Sequence, residues 1–220
     1  MIPASDSPIS NPEISNSQPS NSPTPPSPDL APWRSPLSRA LHRNRSLIYA
    51  RYLQLATVRP DGSPANRTVV FRGFRDRTDW LTVITDSRSE KMPQLATNPR
   101  AEACWYFPKT REQFRIAGTL RAVLATTPDP TEQSERSRLW QNLSDAARLQ
   151  FAWPNPRGDR TVDPAAFAPP PPDPIAPLET FVLLWLIPER VDWLELKGEP
   201  QNRTGFDRTP DGWQTHALNP

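Results

Sequence analysis

Two arginines stand five residues apart in Arg67-Thr68-Val69-Val70-Phe71-Arg72, on an otherwise apolar stretch. A second polar run, Thr85-Asp86-Ser87-Arg88-Ser89-Glu90-Lys91, leads into a predicted helix. Guanidinium, ammonium and hydroxyl groups all donate hydrogen bonds, and arginine offers a paired contact that matches a phosphate. The helix start adds free backbone N–H groups and the positive end of the dipole. If the strand bearing Arg67 neighbours the strand ending at Thr85, Arg67 converges on Arg88, Ser89 and Lys91. That arrangement is a phosphate site. The competing reading is a set of solvated surface charges. Regular strand parity sends Arg67 and Arg72 to opposite faces.

Other chemistries find little support. His42 and His216 are the only histidines, and neither has a His, Cys or carboxylate at metal-ligand spacing. No metal site is expected. There is no nucleophile elbow, no phosphate-binding Gly-Lys loop and no dinucleotide fingerprint. With 7 glycines in 220 residues, an anion site must rest on side chains. Cys104, the single cysteine, excludes an internal disulfide and suits a reducing, cytoplasmic setting.

The elements that must position these groups are mostly strands. Tyr52–Val58 alternates in part, and Arg59-Pro60-Asp61-Gly62 turns it into a second strand, Pro64–Phe74. Further strands are predicted at Asp79–Thr85, Ala101–Phe107 and Gln113–Ala125. Thr180–Ile187 and Arg190–Leu196 form a pair broken at Pro188-Glu189, and Arg203–Arg208 pairs with Gly212–Ala217. Helices are predicted at Pro36–Asn44 with Ser35 as cap, at Ser89–Thr97 and at Thr131–Phe151, the last split near Ser144-Asp145. The pattern predicts a mainly β fold, a closed or nearly closed antiparallel barrel with peripheral helices.

Proline divides the chain. Residues 1–36 hold ten prolines and nine serines, and 163–177 hold seven more prolines. Residues 1–32 read as a disordered tail, because they bury too little apolar surface to offset ordering. The tail lacks a basic start and an apolar stretch, so it is not expected to be a secretory signal. Residues 33–220 read as one domain, with a proline-rich loop at 163–177. The longest apolar run, Phe181 to Ile187, is far short of the ~20 residues a membrane helix needs. A net charge of +2 gives no case for nucleic acid.

The order of these segments resembles the pyridoxamine 5'-phosphate oxidase family of FMN-binding split β-barrels. The branch it resembles has unassigned substrates and occurs in cyanobacteria and plants. Carrying segments are Gln54–Val58 with Pro60-Asp61-Gly62, Asn66–Phe74, Thr85–Lys91, Asn98–Glu102, Glu112–Gly118, Pro188–Leu194 and Asn202-Arg203.

The resemblance implies FMN as cofactor and a site between the two subunits of a homodimer. It assigns Arg67 to the FMN phosphate and Thr68, Val69, Val70 and Arg72 to contacts along the flavin, Arg72 standing where the oxidase has lysine. Ile84 and Thr85 match a Tyr-Thr pair beside the cofactor. Ser89 and Lys91 match two members of a Ser-Arg-Lys phosphate motif. Glu90 replaces its arginine, and Arg88 offers a substitute charge. Gln113 matches a glutamine that reaches the ring, and Trp193 and Arg203 match residues given to the FMN site. An Arg-Leu-His triplet that grips the vitamer in the oxidase is Glu199-Pro200-Gln201 here. The implied function is an FMN-dependent oxidoreductase acting on another small substrate. The alternatives are a non-catalytic FMN or vitamin-B6 binding protein, and a barrel turned interaction module.

Overall fold

Turn chemistry sets the first hairpin. Gly62 takes a φ of +83°, and Asp61 accepts hydrogen bonds from the Ser63 backbone and hydroxyl. Strand β1 (Tyr52–Val58) thereby folds back onto β2 (Pro64–Val70). The computed structural model describes residues 30–220. Its remaining strands are β3 (Gly73–Phe74), β4 (Leu81–Asp86), β5 (Arg100–Phe107), β6 (Glu112–Val123), β7 (Phe181–Glu195), β8 (Asn202–Thr209) and β9 (Gly212–Leu218). Four α-helices accompany them: α1 (Arg34–Asn44), α2 (Lys91–Thr97), α3 (Pro130–Gln141) and α4 (Asp145–Leu149).

All nine strands join one antiparallel sheet, ordered β2-β1-β5-β6-β7-β4-β3, with β8 and β9 continuing from β7. The two ends of that order are consecutive in the chain. The expected strand Pro64–Phe74 is therefore two. It breaks at Phe71-Arg72, where the Phe71 N–H bonds the Arg51 carbonyl and the Arg72 N–H bonds the Thr82 carbonyl. One residue faces the β1 side and the next faces β4, so the curved sheet meets itself at this joint. The result is the mainly antiparallel β split barrel that the resemblance implied.

Inward residues of β1, β5 and β6 fill the barrel. Leu53, Leu55, Trp105, Phe107, Phe114 and Ile116 are all essentially inaccessible. On β7, Phe181 to Leu186 are buried on both faces. One face lines the barrel and the other lies under α3, whose Trp140 packs on Phe181. That double burial accounts for the longest apolar run in the sequence.

The expected pair at 180–196 is a single fifteen-residue strand. Pro188-Glu189 does not end it but forms a bulge, with the register on β6 shifting between Ala117 and Gly118. Proline has no N–H to give the ladder and is tolerated at such a position. The bulge also explains Gly118. A Cβ there would lie 1.9 Å from the Ile187 carbonyl oxygen, which is backbone and has nowhere to go. Gly118→Ala is expected to destabilise the fold by about 1–3 kcal/mol, measured by denaturant unfolding.

Helix boundaries also depart from expectation. Helix α1 begins at Arg34, with Trp33 rather than Ser35 at the cap position and no side-chain cap. Its entry is fixed instead by Asp79, which accepts from the Ala31 N–H at 3.1 Å and pairs with Arg34 at 3.3 Å. Ala31, inside the expected tail, is therefore part of the core, while the rest of that tail, residues 1–29, lies outside the described residues. Helix α2 begins at Lys91, not Ser89. The expected break at Ser144 holds, with its hydroxyl capping α4 at the Ala147 N–H. Part of the proline-rich loop is pinned to α3, since the Trp140 indole donates to the Asp173 carbonyl at 2.8 Å.

Candidate functional site

Arg67 lies on β2 opposite Leu55, so its side chain points to the same inward side as Thr57. There it reaches the end of the barrel covered by α2. One guanidinium nitrogen donates to the Thr57 hydroxyl at 2.5 Å and the Leu55 carbonyl at 3.1 Å. The other donates to Gln94 Oε1 at 3.0 Å. Lys91, one turn before Gln94 on α2, donates to the hydroxyls of Thr85 at 2.6 Å and Ser89 at 3.2 Å. Thr85 and Ser89 are themselves 3.3 Å apart. The structure thus brings together Arg67, Thr85, Ser89 and Lys91 from three separate segments.

Carboxylates act on both cations only from beyond hydrogen-bond distance, Glu90 on Arg67 and Asp86 on Lys91. Burial and the Arg67 charge hold the Lys91 ammonium down to a pKa of about 8. Burial, with Arg59 nearby, lowers that of Arg67. Every partner within hydrogen-bond reach of the two cations is a neutral oxygen. Two partly buried cations with several hydroxyls beside them and no carboxylate hydrogen-bonded to either suit a dianionic phosphate. Helix α2 is only seven residues long, so the site rests on side chains rather than on a helix dipole.

Arg88 is not among them. Its guanidinium is bound to both oxygens of Asp86, at 2.6 and 2.9 Å, and to the carbonyls of Phe151 and Trp153. It anchors the 151–155 loop. Glu90, the carboxylate that replaces a basic residue, turns outward to pair with Arg157.

Along β2, Val69 is buried, while Thr68 and Val70 face outward opposite Gln54 and Tyr52. Arg72 lies at the joint beyond β2 and is exposed, its pKa lowered by partial desolvation and by Arg51. Strand parity therefore does not carry from Arg67 to Arg72.

Gln113, Trp193 and Arg203 lie on the neighbouring strands β6, β7 and β8, but not all on one face. Gln113 lies opposite Leu194, and Leu194 opposite Arg203, so these three make one cross-strand row on the outward face. Arg203 is paired with both oxygens of Asp192, at 2.7 and 3.0 Å. Trp193 points the other way, stacked on Phe114 with centroids 5.8 Å apart and donating to Glu112 at 3.2 Å. Two strands, β1 and β5, separate Arg67 on β2 from Gln113 on β6. Three strand spacings amount to about 14 Å. Gln113 and Arg203 face outward, while Arg67 faces into the barrel.

Two members of the cluster escaped the sequence reading, Thr57 and Gln94, both buried. Each had a signal. Gln94 is three residues from Lys91 and so on its helix face, and Thr57 is diagonal to Arg67 across the hairpin.

Comparison with known proteins follows this geometry. The sequence model of the pyridoxamine 5'-phosphate oxidase FMN-binding domain matches residues 30–124. A relative from Arabidopsis thaliana, pyridoxine/pyridoxamine 5'-phosphate oxidase 2, is 36% identical over 205 residues, covering 87% of this chain and 98% of the relative. The chain belongs to the pyridoxamine 5'-phosphate oxidase family. A second relative in this family, pyridoxine/pyridoxamine 5'-phosphate oxidase of Anaeromyxobacter dehalogenans, is 35% identical and is covered over its full length. Among solved structures, a pyridoxamine 5'-phosphate oxidase-related, FMN-binding protein from Nostoc punctiforme is 56% identical. It superposes with a TM-score of 0.85, covering 87% of this chain and 100% of its own. Within the described residues, no helix is long and apolar enough to cross a membrane, and no group of three or more His, Cys, Asp or Glu is gathered for a metal.

Proposed function

We propose that this family member is an FMN-dependent oxidoreductase acting on a small substrate, as a cytoplasmic homodimer with FMN between its subunits. The convergence of Arg67 and Lys91 on neutral partners, within an FMN-binding fold family, carries the reading. FMN, when bound, supplies hydride transfer. Arg67 and Lys91 hold its phosphate, with the Thr85 and Ser89 hydroxyls beside them. Thr68, Val69, Val70 and Arg72 belong to the path from that anchor, Arg72 adding a positive charge. Gln113, Trp193 and Arg203 complete the site from the second copy. The protein's part is to position the cofactor and to stabilise charge.

The relatives' names make a pyridoxine or pyridoxamine phosphate the first substrate to assay. Glu199-Pro200-Gln201, standing where the resemblance places Arg-Leu-His, favours a different substrate or a flavin binder without turnover. Reduction of bound flavin by a donor separates the two.

The test joins identity and pH. The purified protein should show an oxidised-flavin spectrum and release FMN by mass. Lys91 titrates near 8 against an ordinary 10.5, so above that pH the unliganded site is uncharged at Lys91. Binding a dianion then requires proton uptake, and affinity must fall as pH rises. Fluorescence titration should show roughly a tenfold loss between about pH 8 and pH 9.5, and little in Lys91→Met. A pH-independent affinity, or a protein that takes up no FMN, sinks the reading.

A further inference from the structure

Residues 30–60 hold six arginines and one histidine, and no aspartate or glutamate. Most of these cations sit on α1 and on the short 3-10 helix Ile48–Arg51 that follows it. Helix α1 buries Pro36, Leu37, Ala40 and Asn44 and turns Arg39, His42 and Arg43 outward, at i, i+3 and i+4. Arg45 and Arg51 are exposed beyond them. Among the described residues, Arg39, Arg43, Arg45 and Arg51 make no ion pair. Arg39 bonds the Ser35 hydroxyl at 3.1 Å, and Arg45 bonds the His42 carbonyl at 2.8 Å. Glu195 feels the Arg39 charge only from beyond ion-pair distance. Lys109 adds a cation beside the end of α1, its ammonium bonded to the Ser46 hydroxyl. Exposed arginines elsewhere do find acids: Arg100, Arg115 and Arg190 are each paired. The unpaired charge is therefore a property of this face and not of the composition.

An apolar cleft of about 410 Å³ opens among these cations, between α1 and the 47–51 segment. Leu41, Leu47, Ile48 and the buried Phe71 line it, with His42, Arg45 and Arg51. Ile48 is 88% exposed, and Tyr49 beside it is exposed too. Neighbouring exposed apolar side chains next to a concave surface mark a contact site. The cleft selects an apolar side chain, and the guanidiniums around it select carboxylates. The spread of the charge sets the size of the partner. Arg39 and Arg45 are six residues apart, about 9 Å along the helix, and Arg51 belongs to the next element. One small acid cannot meet them all, whereas an extended acidic chain can. A nucleic acid would neutralise the charge but leave the apolar cleft unfilled, and a bilayer offers a flat surface to a concave one.

We propose that this face docks an acidic segment of a partner protein. A bulky apolar side chain of that segment enters the cleft beside Ile48, and its carboxylates meet Arg39, Arg43, Arg45 and Arg51. The test titrates the FMN-loaded full chain into a rhodamine-labelled peptide, Leu-Phe between two runs of four glutamates, read by anisotropy. The peptide should bind, and a version with Ser-Ser in place of Leu-Phe should bind about tenfold more weakly. Ile48→Ser should weaken the Leu-Phe peptide by about tenfold, and the double variant Arg43→Glu with Arg45→Glu by at least about tenfold. These three residues are exposed and lie outside the proposed FMN site, so FMN affinity should stay within about threefold in both variants. The proposal is overturned if the peptide does not bind, if the Ser-Ser version binds equally, or if either variant binds as the parent does. Tighter binding of an oligothymidylate or of phosphatidylserine vesicles than of the peptide overturns it as well. A change in the protein's own sedimentation on Ile48→Ser would give the face to a second copy of this chain instead. If the protein takes up no FMN, the same titration of the unloaded chain decides this proposal independently of the flavin reading.

Discussion

Arg67→Ala is expected to weaken FMN binding by about 100-fold. A hydrogen bond to a charged group contributes about 1.5–3 kcal/mol, and Arg67 can give a phosphate two. Each 1.4 kcal/mol is tenfold in affinity. Coulomb attraction in a half-buried setting adds to this, since water screens less there. The fold should tolerate the change. Thr57 and Gln94, which Arg67 bonds, also bond each other at 2.6 Å, so neither is left orphaned in the core. Arg67→Lys separates charge from geometry: it keeps the cation and loses the fork, and should recover only part of the loss. Flavin-fluorescence titration with a parallel thermal melt reads both effects. An alanine variant within threefold of the parent would remove Arg67 from the phosphate site.

Why this cluster was legible in part follows from how its members are spaced. Ser89 and Lys91 are close in sequence to Thr85, so a local motif suffices to gather them. Arg67 joins them only because the barrel meets itself at Phe71-Arg72, which carries β2 round to β4. That closure is a tertiary event, and family order rather than periodicity pointed to it. Arg88 shows the opposite failure. By composition it is another cation beside a phosphate motif, yet Asp86 two residues earlier captures it. With Asp86 and the oxygens of the 151–155 loop, all three guanidinium nitrogens of Arg88 are occupied. Strand existence was legible because alternation reports burial directly, as on β1 and β5. The bulge at Pro188 was not, because proline ends most strands and nothing local distinguishes an insertion from a stop. Only Gly118 on the neighbouring strand, where a side chain has no room, marks the place.

The largest effect expected of all is a rescue. Along the sheet Gln113 lies three strand spacings from Arg67 and Arg203 five, both on the outward face while Arg67 points into the barrel, so the proposed dimer supplies them from its second copy. The outward face that bears them also carries Tyr52 and Tyr106, each more than two-fifths exposed, as a partner surface would. In a two-fold dimer each site takes its phosphate cluster from one copy and its second group from the other. Arg67→Ala alone damages every first half, and the double variant Gln113→Ala with Arg203→Ala damages every second half. A mixed dimer of the two puts both lesions in one site and leaves the other intact. Random reassociation makes half the dimers mixed, so about a quarter of all sites should regain parental FMN affinity. Two defective preparations would thus give a partly competent one on unfolding and co-refolding, read as a high-affinity fraction in the titration. A site built within one chain gives no such fraction at any mixing ratio. Absence of rescue, with both variants folded and dimeric by sedimentation, would confine the cofactor to one subunit and leave Gln113 and Arg203 outside its site.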